Sequence, residues 1–203
     1  MLTFAGAVFF LIITPGPGVL STAGVGAAFG ATAGTRYVLG LFIGTNLVAL
    51  AVVSGVAGAV LADPAIRTVL FAASTLYLLY LALRIAFAGS RIAFIEARRA
   101  PGIGNGIALQ AINPKAYAVN TAFFAGFPLL PESLVAEVLM KSIIVNAIWI
   151  PIHFLWLYLG IRLGALDLPT RTHRLINVAM SLSMLAVVAL AALGGLRAGP
   201  TEQ

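Results

Sequence analysis

The chain contains no cysteine among its 203 residues. That removes disulfides, thiolate metal ligands and thiol redox chemistry together. Charge is almost as scarce: 9% of residues are charged, with only six acidic side chains, where a soluble domain carries roughly 25%. Histidine occurs twice and no HExxH pattern is present, so metal-dependent catalysis has almost nothing to work with. No enzymatic activity, metal or cofactor is expected. What fills the chain instead is apolar, 61% of it, with a mean hydropathy of +1.06. No aqueous core hides that much apolar surface, and lipid is the solvent it fits. The net charge of +6 is not read as a nucleic-acid signal, because the basic residues sit between apolar blocks, where the positive-inside effect explains them. The first apolar stretch lacks a basic leader and runs past Pro15 and Pro17 uncharged to Arg36, so it is read as a retained span rather than a signal peptide.

A span needs roughly 20 apolar residues, and charges with Pro/Gly clusters divide the chain into six, at about 2–23, 37–62, 65–88, 103–129, 134–161 and 175–196. Asp63 and Pro64 suit a helix cap and first turn, which makes the link between spans two and three a tight hairpin. Pro131 with Glu132, and Pro169 with Thr170, are similar start signals for spans five and six. Arg36, Arg84, Arg91, Arg98, Arg99, Arg162, Arg171 and Arg174 fall on one side of these spans, and Arg67, Lys141 and Arg197 on the other. The first set is the cytoplasmic one, which places both termini outside and makes the segment 89–101 the main cytoplasmic loop. Its arginines serve as topology determinants near anionic headgroups.

Two spans break the rules of a plain helix. Thr14-Pro15-Gly16-Pro17-Gly18 falls inside the first, about 20 Å from its start at 1.5 Å per residue. Pro15 and Pro17 have no N–H, which frees the carbonyls of Leu11 and Ile13, and the glycines let the backbone unwind. Asn113-Pro114-Lys115 breaks the fourth, freeing the carbonyl of Gln110 and placing an ammonium deep in the membrane at an insertion cost of about 2.5–3.5 kcal/mol. Irregular backbone at that depth is tolerated only inside protein or along a wet cavity.

The two breaks lie 99 positions apart, and Asn46 in span two matches Asn146 in span five within a residue. Halves of three spans each must be related by inverted topology. The expected fold is therefore all-α and integral to the membrane. Its six transmembrane helices form two inverted three-helix repeats, with helices 1 and 4 broken by proline. One transporter domain covers 1–203, with repeat one at about 1–88, the loop at 89–102 and repeat two at about 103–197.

At these residues the chain resembles the LysE/RhtB family of amino-acid exporters over nearly its whole length. Thr14-Pro15-Gly16-Pro17 is similar to that family's first-span motif, and Gly30, Gly34, Gly40 and Gly44 to its glycine spacing. Leu76-Tyr77-Leu78-Leu79-Tyr80-Leu81 resembles its third-span signature, and Asn113-Pro114-Lys115-Ala116 its fourth-span motif. The resemblance implies efflux of amino acids or related metabolites from the bacterial cytoplasm across the inner membrane, driven by the proton motive force. Gly18 stands where the family usually has Asn, Val119 and Asn120 replace an aromatic pair, and Phe127-Pro128-Leu129-Leu130-Pro131 departs from its span-four ending. Thiol-based electron carriers of the same superfamily are excluded by the missing cysteines.

The expected substrate is a small zwitterion. The freed carbonyls accept from its ammonium, and the half-helix restarting at Pro17 offers N–H groups to its carboxylate beside Gly18. Lys115 holds that carboxylate or releases it. Thr14, Pro15, Gly16, Pro17, Gly18, Asn46, Asn113, Pro114, Lys115, Asn120 and Asn146 make up the expected substrate-binding set. Coupling to protons has no mid-span carboxylate to use. Glu137 is read as an ordinary i,i+4 partner of Lys141, His153 as a packing residue and His173 as interfacial. Pro151 frees the carbonyl of Ala147, and Trp149 is deep enough to face the pathway. Glycines at four-residue spacing permit close helix packing, within a protomer or between the two copies of a homodimer. The rival readings are a transporter of another cargo, such as a metal cation, and a membrane scaffold subunit that transports nothing.

Overall fold

The computed structural model describes residues 1–14, 16–55, 100–130 and 132–166, with scattered positions between 63 and 80 and between 171 and 182. The expected third and sixth spans, the cytoplasmic loop and His173 lie wholly or largely outside these residues. Every regular element among those described is helical: α1 (Leu2–Ile13), α2 (Pro17–Val53), α3 (Ile103–Ile112), α4 (Pro114–Gly126) and α5 (Leu134–Gly164). α2 and α5 are long and apolar enough to cross a membrane.

α1 buries Phe4, Val8 and Ile12, one residue per turn, while Leu2, Phe9 and Phe10 stay exposed. α5 does the same with Lys141, Val145, Trp149, His153 and Leu157 inside and Leu139, Ile143, Phe154, Leu155 and Leu159 outside. Helices apolar all round, with large side chains left on the outer face, are built for a hydrocarbon surrounding.

The linker expected between spans one and two is not a loop. α2 continues through it, interrupted only at Gly30, where φ is 75° and ψ −171°. This region of backbone space is open essentially to glycine alone. One residue there folds the helix back on itself. The Tyr37 hydroxyl donates to Ser21 Oγ at 3.0 Å across a sequence separation of 16, whereas a straight helix would hold such a pair about 24 Å apart. α2 is thus a hairpin of two arms, 17–29 and 31–53. The second arm ends at Val53, with Ser54 as its C-cap and Gly55 at φ 78°. The remaining expected extent of span two, 56–62, lies outside the described residues.

The arms pack on different partners. In the 31–53 arm, a β-carbon at Gly40 would fall 2.1 Å from the carbonyl oxygen of Ile103 in α3. In α5, one at Gly160 would fall 2.1 Å from the carbonyl oxygen of Ala23 in the 17–29 arm. The backbones touch directly at both crossings, which is the close approach small residues give membrane helices. Phe4 meets Phe123 edge-on at 5.8 Å, joining α1 to α4, and Phe42 meets Trp149 at 5.8 Å, joining α2 to α5.

Helix starts follow local chemistry. Asp63 caps as expected, its Oδ1 accepting from the N–H groups of Ala65 (2.7 Å) and Ile66 (3.4 Å). α5 is capped by Ser133, whose Oγ accepts from Ala136 N–H at 3.3 Å, instead of by the expected Pro131-Glu132 signal. Lys141, counted above among the topology charges, is 1% exposed. Its Nζ lies 2.6 Å from Glu137 and donates to the Phe124 carbonyl at 3.0 Å, while the other carboxylate oxygen of Glu137 accepts from Leu130 N–H. The expected i,i+4 pair is present, and it fastens the end of α4 and the following turn to α5.

Candidate functional site

Both breaks appear where the sequence placed them. α1 stops at Ile13 and α2 restarts at Pro17; α3 stops at Ile112 and α4 restarts at Pro114. Between them lies a cavity of about 60 Å³, above the roughly 10–15 Å³ that a cavity needs to admit a water. Its walls come from every described helix and include Thr14, Gly16 and Gly18 from the first break and Asn113, Lys115 and Asn120 from the second.

The two restarts differ. At α4, Asn113 Oδ1 accepts from Lys115 N–H at 3.1 Å, so the new helix is capped by its own asparagine. At α2, the N-cap is Gly16 and supplies no side chain. The first N–H groups, of Gly18 and Val19, belong to residues lining the cavity. An uncapped helix start presents donors and a positive dipole end.

Of the three carbonyls expected to be freed, that of Gln110 is taken. The Gln110 carbonyl accepts from Asn113 N–H at 3.3 Å, because the chain tightens into a short turn before Pro114. The carbonyl that the structure puts to use is that of Thr14. It accepts from Lys115 Nζ at 2.8 Å, across 101 residues of sequence. Thr14 Oγ1 turns back to the Phe10 carbonyl.

Among the described residues Lys115 is the one formally charged side chain in the lining, and no carboxylate lines the cavity. Polar groups surround it. Asn120, 4% exposed, donates through Nδ2 to the Ala116 carbonyl, and its Oδ1 has no partner among the described residues. Gln110 Oε1 accepts from Asn113 Nδ2 at 3.1 Å, which leaves the Gln110 amide N–H groups similarly unbonded. His153 stacks on Trp149, ring centroids 3.5 Å apart, and its Nδ1 lies 3.0 Å from the Trp149 carbonyl. A carbonyl only accepts, so Nδ1 carries the proton and Nε2 is left as an acceptor on the side facing Gly18.

Of the expected set, Thr14, Gly16, Gly18, Asn113, Lys115 and Asn120 therefore meet in one place. Pro17 and Pro114 open their helices without lining the cavity, and Pro15 lies outside the described residues. Asn46 and Asn146 are not in the lining. They bond to each other reciprocally, each Nδ2 donating to the other's Oδ1 at 3.2 and 3.0 Å. Thr45 and His153 line the cavity without having been anticipated, and Gln110, expected there only through its carbonyl, lines it too. His153 was legible in one respect: it lies four residues after Trp149, one helical turn along the face already expected to turn toward the pathway.

A second cavity, about 220 Å³, lies between α2, α4 and α5 beside Glu137 and Lys141. The polar groups on its wall are already engaged with each other, Phe124 and Leu130. Among the described residues no group of His, Asp or Glu could hold a metal ion.

The family model of the LysE type translocators matches residues 9–195. The chain belongs to that family. Its members are membrane transporters, and the large apolar side chains left exposed on α1, α2 and α5 suit a lipid surrounding. Among curated proteins and among solved structures, none matches it significantly.

Proposed function

We propose that this LysE translocator exports amino acids or closely related zwitterionic metabolites from the bacterial cytoplasm, and that the cavity between the two breaks is its substrate site. One observation carries the reading. An uncapped helix start, a freed backbone carbonyl and a single ammonium converge at the junction of two proline-broken helices, which gives a zwitterion partners for both of its charges.

The architecture belonging to this reading is a single domain of two inverted three-helix repeats in the inner membrane, with both termini outside. Asn46 and Asn146 support it. Residues related by a two-fold axis meet each other only where the axis passes, and these two, 100 positions apart, bond reciprocally. The contact between Thr14 and Lys115, also about half the chain apart, lies where the two broken helices would face each other. Export is coupled to the proton motive force, as the family resemblance implies.

The test is efflux from proteoliposomes loaded with a panel of labelled amino acids. At least one is expected to leave faster than from empty liposomes, with the rate collapsing on addition of a protonophore. Lys115→Ala and Asn113→Ala are expected to reduce that efflux at least tenfold while insertion and monodispersity are unchanged. Undiminished efflux by Lys115→Ala would remove the proposed site.

A further inference from the structure

We propose that the Lys115 ammonium is a tethered occupant of the position meant for the substrate's own ammonium, and that cargo loads by displacing it. The inference rests on the substrate-site reading above and adds a loading mechanism to it. The Thr14 carbonyl is unwound backbone between α1 and α2, and its partner is a side chain from the opposite break, Nζ at 2.8 Å. A primary ammonium on a flexible stem is chemically the same head group that an amino acid brings.

The seat for this lysine is built by a missing atom. A β-carbon at Gly16 would lie 2.9 Å from Lys115 Cδ and 3.0 Å from Nζ. The backbone there, φ −153° and ψ 179°, is extended and open to any residue. Glycine thus matters here for the space it leaves and not for its conformation, since a β-carbon would make the lysine side chain shift. Among the described residues no carboxylate lines the cavity, so the cation rests on a neutral acceptor and has no ion pair to break when it leaves. Further acceptors for an incoming ammonium, Asn120 Oδ1 and His153 Nε2, are also at hand.

Displacement sets the selectivity. An ammonium that takes the Thr14 carbonyl releases a lysine whose charge then needs a counter-ion, and the substrate's carboxylate supplies it. An acid without an amine cannot dislodge Lys115. An amine without an acid dislodges it but strands a charge in a low-dielectric site. Only a molecule with both groups satisfies both halves of the exchange.

A side chain held a few bonds from its acceptor competes at an effective concentration on the order of millimolar or above. Small amines are therefore poor ligands while the lysine is present. The probe is ethylammonium chloride, read as the shift in melting midpoint of purified protein in nanodiscs. Half-saturation for Lys115→Ala is expected at a concentration at least tenfold below that for the wild type. Tetramethylammonium, which has no N–H to donate, is expected to shift neither. Equal responses of wild type and variant, or equal effects of the two cations, would overturn the proposal.

Gly16→Ala supplies an arm that keeps the lysine. Its β-carbon is expected to push Lys115 off the carbonyl, raising acylation of that amine by a membrane-permeant ester several-fold over the wild type. Lys141, the second of the chain's two lysines, is the internal reference in the same mass spectrum. Unchanged labelling of Lys115 would overturn the proposal even if Lys115→Ala fails to fold. Efflux with no ammonium competition would leave the transport reading intact and remove only the tethered occupant. Competition without efflux of any amino acid would do the reverse.

Discussion

Among the described residues two lysines carry charge into the interior of this domain, and the structure treats them differently. Lys115 has one neutral acceptor, the Thr14 carbonyl, and faces the cavity. Lys141 is closed off, with a carboxylate and the Phe124 carbonyl as partners. Removing each should therefore have a different signature. Lys141→Met strips the partner from the Phe124 carbonyl near the end of α4, which alone costs about 1–3 kcal/mol for a buried acceptor left unmade. It also leaves Glu137 without its ion pair. The expected outcome is a clear drop in thermal midpoint, with residual efflux per folded molecule largely retained. Lys115→Ala is expected to do the opposite, losing efflux with a smaller change in melting. The sequence placed Lys115 deep and counted Lys141 among the span-end charges, so the burial of Lys141 was not read. The i,i+4 spacing identified the Glu137 pair, but the Phe124 carbonyl comes from 17 residues away and no local pattern announces it.

Elements here are made by proline and glycine placed where hydrogen bonding must fail or the chain must reverse. The breaks at Pro17 and Pro114 were legible because a missing N–H is written into the residue type. Which carbonyl the second break leaves available was not. The answer depended on how the chain tightened locally, and at Asn113 it closed over the Gln110 carbonyl. Gly30 was legible only as part of a glycine series, since nothing local distinguishes the glycine that turns the chain from those that let helices touch. The two roles separate under substitution. A β-carbon at Gly30 meets nothing within 4 Å, so Gly30→Ala suffers backbone strain alone, about 1–3 kcal/mol for a residue held in a glycine-only region. Gly160→Ala has no such strain and instead drives a β-carbon into the Ala23 carbonyl. Gly30→Asn is expected to melt as low as Gly30→Ala, because the asparagine preference for left-handed helix does not extend to ψ near 180°. Recovery of stability by Gly30→Asn would show that the turn relaxes to a different backbone.

At the scale of the whole molecule, the proposed six-span, two-repeat architecture rests on apolar runs of span length and a spacing of about 100 residues, and its orientation on a count of arginines. The structure adds the Asn46–Asn146 contact. Periodicity could nominate those two asparagines as equivalent, but whether equivalent residues touch depends on where a symmetry axis runs, which is a property of the assembled halves. It also takes them out of the cavity lining, where a list of polar residues in the spans had placed them with the substrate. Orientation is the remaining global quantity, and it has a direct measurement, because the protein contains no cysteine and any introduced thiol is the sole target. With the arginine-rich segment 89–101 in the cytoplasm, Ser90→Cys is expected to resist a membrane-impermeant maleimide added to intact cells and to react after permeabilisation. Thr201→Cys is expected to react in intact cells. Export requires the cavity to open on both sides in turn, and the charge asymmetry says only which side is which. The opposite labelling pattern would invert the molecule, exchanging the side from which Lys115 meets its cargo, while the cavity, the two breaks and the Thr14–Lys115 contact would be unaffected.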